Sequence, residues 1–595
     1  MRLLDSRRLT GPNLLSKEPL ALAEVGFDAR DDQVRALQLW AREAERICAL
    51  AGLAFDRPIV RRSRLGAAVA FHASIDVLLA ATDVNDLAAL SACDQLAGLP
   101  SSPLDPAVEV LREKIAAARS PKLLALQAAA RAHGLPFLWD DELCSVGHGL
   151  RSICWPIATP MDPSEVPWAE LGRVPVALIS GTNGKTTSAR LLARIALLAG
   201  RTPGLASTDA IAVAGRVLDT GDFTGPASAR TVLRRPEVDF AVLETARGGI
   251  LRRGLAVEEA DGALLTNVAE DHLGEYGIDT VDDLAAAKAV ICGVVTPAGR
   301  VVLNADDPRL LRLAATFAAP AVLFSLDASS APIEAHVAAG GEAFCLRTAA
   351  ASPTSAGRAD LVRRSPAGEE VLLPAAAVAI SFGGAARFNL ANALGVAALA
   401  SSLGLPRAAI LEGLRTFRPD ANDNPGRCNL VDAGGGVTLL IDFGHNPHGL
   451  HALAPFIAEL RKARAPGRLL LLSGSAGDRS DDSLRALAAE LAAQKPHAVY
   501  LRELQGYQRG RKDGEVPAFL AAELRKLGLA EPAVAILPTE GQALRRALSE
   551  ARAGDFVALL VHLETAEVAA VLAERAASDR SPASDPSAPP ATPAA

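Results

Sequence analysis

The hydrophobic pattern of this chain has two alternating textures. Short continuous apolar runs recur at 174–180 (VPVALIS), 240–243, 262–266, 300–303, 438–441, 469–472, 497–501 and 556–560. Runs of this kind suit strands covered on both faces of a parallel sheet. Stretches with apolar residues every three or four positions lie between or after several of them, at 187–199, 281–291 and 388–403, and these predict helices. The β-α alternation predicts a multidomain α/β protein with doubly wound layers. Ahead of it, strand-like pieces at 20–27 and 67–73 mix with helical stretches at 32–50, 104–118 and 122–133, which predicts an α+β N-terminal domain.

Breaks in the pattern divide the chain. The proline-bearing stretch 157–168 (IATPMDPSEVPW) opens a linker placed at 157–173, and 421–426 (ANDNPG) is a turn-rich break. The expected domains are 1–156, 174–420 and 421–576. The Pro/Ser/Ala-rich end, 577–595, is expected to be a disordered tail.

Composition narrows the class. The 595 residues carry 61 Lys+Arg against 68 Asp+Glu, a net charge of −7, which argues against a dedicated nucleic-acid binder. The seven cysteines are dispersed, with no CxxC pair, as in reduced cytosolic proteins. No apolar stretch reaches 18 residues and the N-terminus lacks a signal-peptide core, so the expected location is cytoplasmic, away from membranes.

Four places carry candidate chemistry. Residues 180–187 (SGTNGKTT) join an apolar strand to a helix, the context in which backbone N–H groups and a helix N-terminus face a phosphate. Gly181 and Gly184 allow close backbone approach, Lys185 would reach the β/γ-phosphates, and Thr186 would offer its hydroxyl to Mg²⁺. Ile179 stands where the common phosphate loop has its first glycine, so this is a GxxGKT variant. Glu244 ends a strand at 241–253 (AVLETARGGILRR), where acidic metal ligands of nucleotide enzymes sit; the alternative is a solvated strand-end carboxylate. Asn267 and His272 follow another strand in LTNVAEDH. Asp442 ends a fourth, before Gly-His-Asn-Pro, which can also be read as a plain turn.

GTNGKTT, TNVAEDHLG and DFGHNP, in this order and spacing, resemble the Mur ligase family. GDFTGPASAR at 221–230, ETARGGILRRGL at 244–255, NPGRCNL at 424–430 and GSAGDRSDD at 474–482 resemble its cyanophycin-synthetase branch. RRLTGPN at 7–13 and ARAHGLPFLWDDELCSVGHG at 130–149 resemble the N-terminal domain of that branch. The resemblance implies a Mur-type central ATP-binding domain and a Rossmann-like C-terminal domain. It departs in one respect: the branch places an ATP-grasp domain after the N-terminal segment, whereas here Gly149 leads through the short linker to the strand at Val174.

The activity implied is ADP-forming amide ligation, with ATP and Mg²⁺. A carboxylate is activated as an acyl phosphate and attacked by an amino-acid amine, most simply arginine onto an aspartate side chain. The phosphates would be held by Gly181, Thr182, Asn183, Gly184, Lys185, Thr186 and Thr187, with Asn267 beside them. Thr186 and Glu244 would hold one metal ion, and His272 and Lys288 lie at a second. Lys288 matches the lysine that many Mur ligases carbamylate; the alternative is a surface helix lysine. Asn392, in RFNLANAL, matches the residue on the adenine side of ATP. Arg427 and Asp442 match C-terminal-domain residues that reach the γ-phosphate and ribose on domain closure, with His445 and Asn446 in the same cleft. Arg247, Arg252 and Arg253 are candidates for gripping an anionic acceptor; the alternative is a solvated basic face. A homo-oligomer is implied as well. Two other readings stay open: a helper subunit for a separate ATP-grasp protein or a full synthetase, and a Mur-like ligase of other amino-acid specificity.

Overall fold

The computed structural model describes residues 1–595 apart from 29–30, 100–104, 349–358, 463, 465–466, 561–562 and 581–595. The chain forms two compact units, one of Met1–Gly384 with Phe388–Phe417 and one of Ala385–Arg387 with Arg418–Ala595.

The first unit is built on an eleven-stranded mixed sheet. Its order runs Arg216–Thr220, Ala210–Val213, Pro203–Ala206, Phe240–Glu244, Val176–Ser180, Ala260–Leu265, Val295–Asn304, Ala321–Ser325, Glu342–Thr348, Ala359–Ser365, Gly368–Pro374. The seven strands from Pro203–Ala206 to Glu342–Thr348 pair in parallel, and the two at either edge pair antiparallel. Every residue of Val176–Ser180 and of Phe240–Glu244 is buried, as their unbroken apolar runs require of strands covered on both faces. The helix Lys185–Leu198 covers one face, and Val281–Gly293 the other. The chain leaves Val176–Ser180 for strands on one side and returns on the other. The carboxyl ends of Val176–Ser180 and its two neighbours therefore meet at a topological switch point, where open α/β sheets bind ligands.

The N-terminal part of this unit is α+β. A four-stranded antiparallel sheet, in the order Arg2–Leu9, Leu20–Gly26, Gly66–His72, Ile59–Arg62, packs against Gln33–Ala51 and Leu78–Leu96. The buried Trp40 indole donates to Asn85 Oδ1 at 2.8 Å, and Asn85 Nδ2 donates to the carbonyls of Ala21 and Val69. An apolar core thereby tolerates a fully buried amide, because its dipoles are satisfied. The 157–173 stretch is a packed connection. Val166 and Leu171 are buried, and the Trp168 ring stacks on His133 with centroids 4.3 Å apart.

The second unit holds a six-stranded sheet in the order Asn429–Asp432, Thr438–Asp442, Phe556–Leu560, Leu469–Ser473, Ala498–Arg502, Val534–Leu537. All but the first strand are parallel. The helix Thr565–Arg580 corrects the expected start of the tail at 577. Its Ala- and Glu-rich sequence favours helix, Val568 and Val571 are buried, and the first proline of the terminal run comes only at Pro582. Residues 581–595 lie outside the described residues. Among the described residues no helix is long and apolar enough to cross a membrane.

Candidate nucleotide and metal site

The phosphate loop sits where the sheet reverses direction. Gly184, with φ +85°, initiates the helix Lys185–Leu198, which starts two residues earlier than its apolar spacing suggests. Glycine is required here for two reasons. The backbone is in the left-handed region, and a Cβ at Gly184 would overlap Asn392 Oδ1. A Cβ at Gly181 would overlap Thr266 Oγ1. We expect Gly184→Ala to weaken nucleotide binding at least about tenfold in a titration with a fluorescent ATP analogue, because the loop must shift as well as strain.

The loop is fastened from the neighbouring strand. Asn183 N–H donates to Asn267 Oδ1 at 3.0 Å, and Asn267 Nδ2 returns a bond to Asn183 O at 3.0 Å. Thr266 Oγ1 donates to Asn183 O at 2.6 Å, Thr182 N–H to Asn267 O at 2.8 Å, and Ala269 N–H to Thr182 Oγ1 at 3.0 Å. Asn267, expected beside the nucleotide, thus has its amide engaged in shaping the loop. Lys185 Nζ donates to Thr182 O at 2.9 Å, which keeps the cation at the loop. Thr187 is buried.

Glu244 meets the loop at Thr186. Its carboxylate is 2% exposed, which settles against a solvated strand end. It accepts from Thr186 Oγ1 at 3.1 Å, Thr208 N at 3.0 Å and Thr208 Oγ1 at 2.7 Å. A buried carboxylate is costly unless donors or cations offset its desolvation. The set of one carboxylate and two hydroxyl oxygens is hard and oxygen-only, which fits Mg²⁺ or another hard divalent cation. No local motif marks Thr208. It follows the four-residue strand Pro203–Ala206, and only sheet order carries it to Glu244.

Lys288 is buried, not the surface helix lysine of the alternative reading. Its Nζ donates to Gly181 O at 2.8 Å. Burial, assisted by the Lys185 charge, pushes its ammonium down to about 7, against a smaller opposing pull from Asp271. His272 lies on the loop between the strand Ala260–Leu265 and the helix Val281–Gly293, with Nδ1 3.9 Å from Glu275 Oε1. His272 and Arg247 hold the half-buried Glu275 carboxyl below its usual range. Arg247 is buried and paired with Glu275, while Arg252 and Arg253 are exposed. The three arginines of one motif therefore separate, and only Arg247 faces the His272 loop. Asn392 is buried against Gly184, its Nδ2 donating to Asn389 Oδ1 at 3.2 Å.

In the second unit, the buried Asp442 Oδ2 accepts from Cys428 N at 2.9 Å and from Cys428 Sγ at 3.2 Å. Burial raises the Asp442 carboxyl and drives the Cys428 thiol well up. Arg427 lies over the Phe443 ring, 4.6 Å from its centroid. His445 Nδ1 is 3.1 Å from Phe443 O, and its Nε2 is 3.3 Å from Asn446 Nδ2. Asn446 Oδ1 accepts from Gly449 N–H at 2.8 Å, so Asn446 caps the helix Pro447–Lys462. The four sequence-predicted residues of this unit are gathered around the end of Thr438–Asp442.

Residues 179–400 match the Mur ligase middle domain, and residues 426–560 match the Mur ligase glutamate ligase domain. The chain is 38% identical to a cyanophycin synthetase of Synechocystis sp. over 365 residues, 61% of this chain and 39% of that protein. It is 28% identical to a UDP-N-acetylmuramoyl-L-alanyl-D-glutamate--2,6-diaminopimelate ligase of Pseudomonas aeruginosa over 388 residues, 64% of this chain and 71% of that one. Among solved structures, E. coli FolC in complex with DHPP and ADP aligns over 68% of this chain and 89% of its own, at 19% identity and a TM-score of 0.49. The chain spans about two fifths of the length of the cyanophycin synthetase it matches. The first domain match takes in the phosphate loop, Glu244 and Lys288, the second takes in Arg427 and Asp442, and the chain thus carries the middle and C-terminal domains of the Mur ligase family.

Proposed function

We propose that the chain is an ATP-dependent, ADP-forming amide ligase of the cyanophycin-synthetase branch. The observation that supports this best is the convergence of Thr186, Glu244 and Lys288 on one phosphate loop from three separate elements. The N–H groups and helix terminus of residues 181–187 take the β- and γ-phosphates, and Lys185 neutralises charge on the group in transfer. A divalent cation held by Thr186 and Glu244 would lower the charge of the phosphates. The γ-phosphoryl group passes to an acceptor carboxylate oxygen and ADP leaves. An amine nitrogen then attacks the acyl carbon, phosphate departs, and the amine gives up one proton. Only positioning and electrostatic stabilisation are asked of the protein in these steps.

Lys288 suits carbamylation. That reaction needs an uncharged amine, and burial depresses the charged form. The ammonium first gives up one proton, carbon dioxide then adds to the neutral Nζ with loss of a second, and a buried cation is replaced by an anion that would be able to hold a second metal ion with His272. Relatedness to cyanophycin synthetase favours arginine as the incoming amine and an aspartate side chain as the acceptor.

The test is phosphate release by the full chain with ATP and Mg²⁺, against a panel of amino acids and aspartate-containing peptides, with products read by mass spectrometry. Phosphate release that needs both arginine and an aspartate-bearing acceptor, with a product heavier by arginine less water, is the expected result. Turnover with another amine would move the substrate assignment to a different amino acid. No turnover with any combination overturns the ligase reading in favour of a helper subunit.

A further inference from the structure

We propose that the N-terminal region of this chain clamps the loop that carries His272 and Glu275, and that Arg61 is a positioning residue for the ligase centre, an inference that rests on the function proposed above. The loop between the strand Ala260–Leu265 and the helix Val281–Gly293 is conformationally unusual. His272 and Tyr276 have φ of +51° and +53°, and Gly274 and Gly277 are also positive. Residues with a Cβ rarely adopt this region, and such a backbone persists where its surroundings over-determine it.

The surroundings that do so come from more than two hundred residues earlier in the chain. Arg61, on the edge strand Ile59–Arg62, donates from Nη1 to Gly277 O at 2.7 Å and from Nη2 to Asp283 Oδ1 at 2.8 Å. The other carboxylate oxygen of Asp283 accepts from Thr280 N at 3.0 Å and Thr280 Oγ1 at 2.8 Å, completing the capping box of the helix. One guanidinium therefore joins the end of the loop to the first turn of the helix that holds Lys288. Arg64 N–H adds a bond to Asp279 Oδ2 at 2.6 Å.

A second grip lies upstream. The Arg7 guanidinium stands 4.7 Å from the Tyr276 ring centroid, and its Nε donates to Leu251 O at 3.0 Å. Thr10 N–H donates to Arg253 O at 2.6 Å, and Leu255 N–H donates to Pro12 O at 2.7 Å. These bonds hold the helix Arg247–Arg253, whose Arg247 pairs with Glu275. The N-terminal region thus fixes both sides of the Arg247–Glu275 contact. Its described residues contribute no group to the site described above, but they set where His272 and Glu275 stand.

The experiment compares hydrogen exchange of the full-length wild type with Arg61→Ala and with Asp279→Ala, which removes the Arg64 acceptor. Peptides covering 272–284 are expected to exchange at least tenfold faster in both variants. Peptides covering 180–190, and the melting curve, should stay close to wild type. In the phosphate-release assay kcat should fall at least tenfold in Arg61→Ala while KM for ATP stays within twofold. Arg61→Lys, which can serve one acceptor but not both, should fall between. Unchanged exchange over 272–284 overturns the clamp, and faster exchange with unchanged kcat overturns the positioning role. A wild type without turnover counts against the ligase reading alone, and the exchange data then decide the clamp.

Discussion

Replacing Lys288 by methionine is expected to stabilise the first unit and to remove turnover. Lys288 lies inside the fold and its ammonium is pushed down to about 7 from 10.5. Between those values the unfolded chain binds more protons than the folded one, so stability rises with pH across that window. Below pH 7 the full cost of burying the cation is present, at about 1.4 kcal/mol for each unit of depression. Methionine removes that cost but leaves Gly181 O without its donor, which returns about 1–3 kcal/mol. The net gain is about 2 kcal/mol near pH 7. It shrinks as pH rises, and above 10.5 the wild-type amine is neutral in both states. Chemical denaturation of both proteins at pH 6.5 and 9.5, without bicarbonate, measures this. In the same variant, phosphate release should fall by about 10³-fold, because no anion can form at that position. A variant both less stable and fully active would sink the assignment.

Lys185→Met should lower the turnover number by about 10³-fold in a protein that still folds cooperatively, since its charge acts on the phosphoryl group in transfer. Among the described residues Lys185 Nζ donates to a loop carbonyl, Thr182 O, a partner that water can replace. The two lysines are also coupled, because the Lys185 charge is one of the forces depressing Lys288. Removing it should move Lys288 back up towards its ordinary value. The stability slope described for the wild type should then begin at higher pH in Lys185→Met. Denaturation at several pH values reads this shift independently of activity, and an unchanged slope would show that the two cations do not sense each other.

Much of the central sheet was legible because its strands are buried on both faces. Continuous apolar runs such as 176–180, 240–244 and 556–560 leave little else for those residues to do. The phosphate loop was legible for a related reason: Gly, Lys and Thr in that order between strand and helix have a local mechanism. The edge strands were not. Arg216–Thr220 and Gly368–Pro374 are short, largely exposed and mixed in composition, and pairing with a neighbour defines them. The start of the tail was not legible either, since residues 577–580 share the small and polar composition of the terminal run yet continue the helix Thr565–Arg580, whose Val568 and Val571 are buried.

The site divides in the same way. Thr186, Glu244 and Lys288 could be named in advance, since each is a chemical type at a recognisable place on a strand end, loop or helix. Their burial could not. A lysine in AAAKAVI reads the same whether its helix faces water or the sheet, and only the packing of Val281–Gly293 decides which. Thr208, Thr266 and Arg61 act through hydrogen bonds to residues 36, 83 and more than 200 positions away. Local spacing carries no record of such pairs.

The sequence by itself determined the β-α alternation and the placing of GTNGKTT between a buried strand and a helix, because these follow from burial period and from residues whose backbone preferences are local. The tertiary structure alone decided which groups lose water and which charges face each other. It put Glu244 among three donors, left Arg252 and Arg253 exposed while burying Arg247, and set the N-terminal region against the His272 loop. Desolvation and Coulomb interaction depend on distance in space, and distance in space is a property of the folded chain.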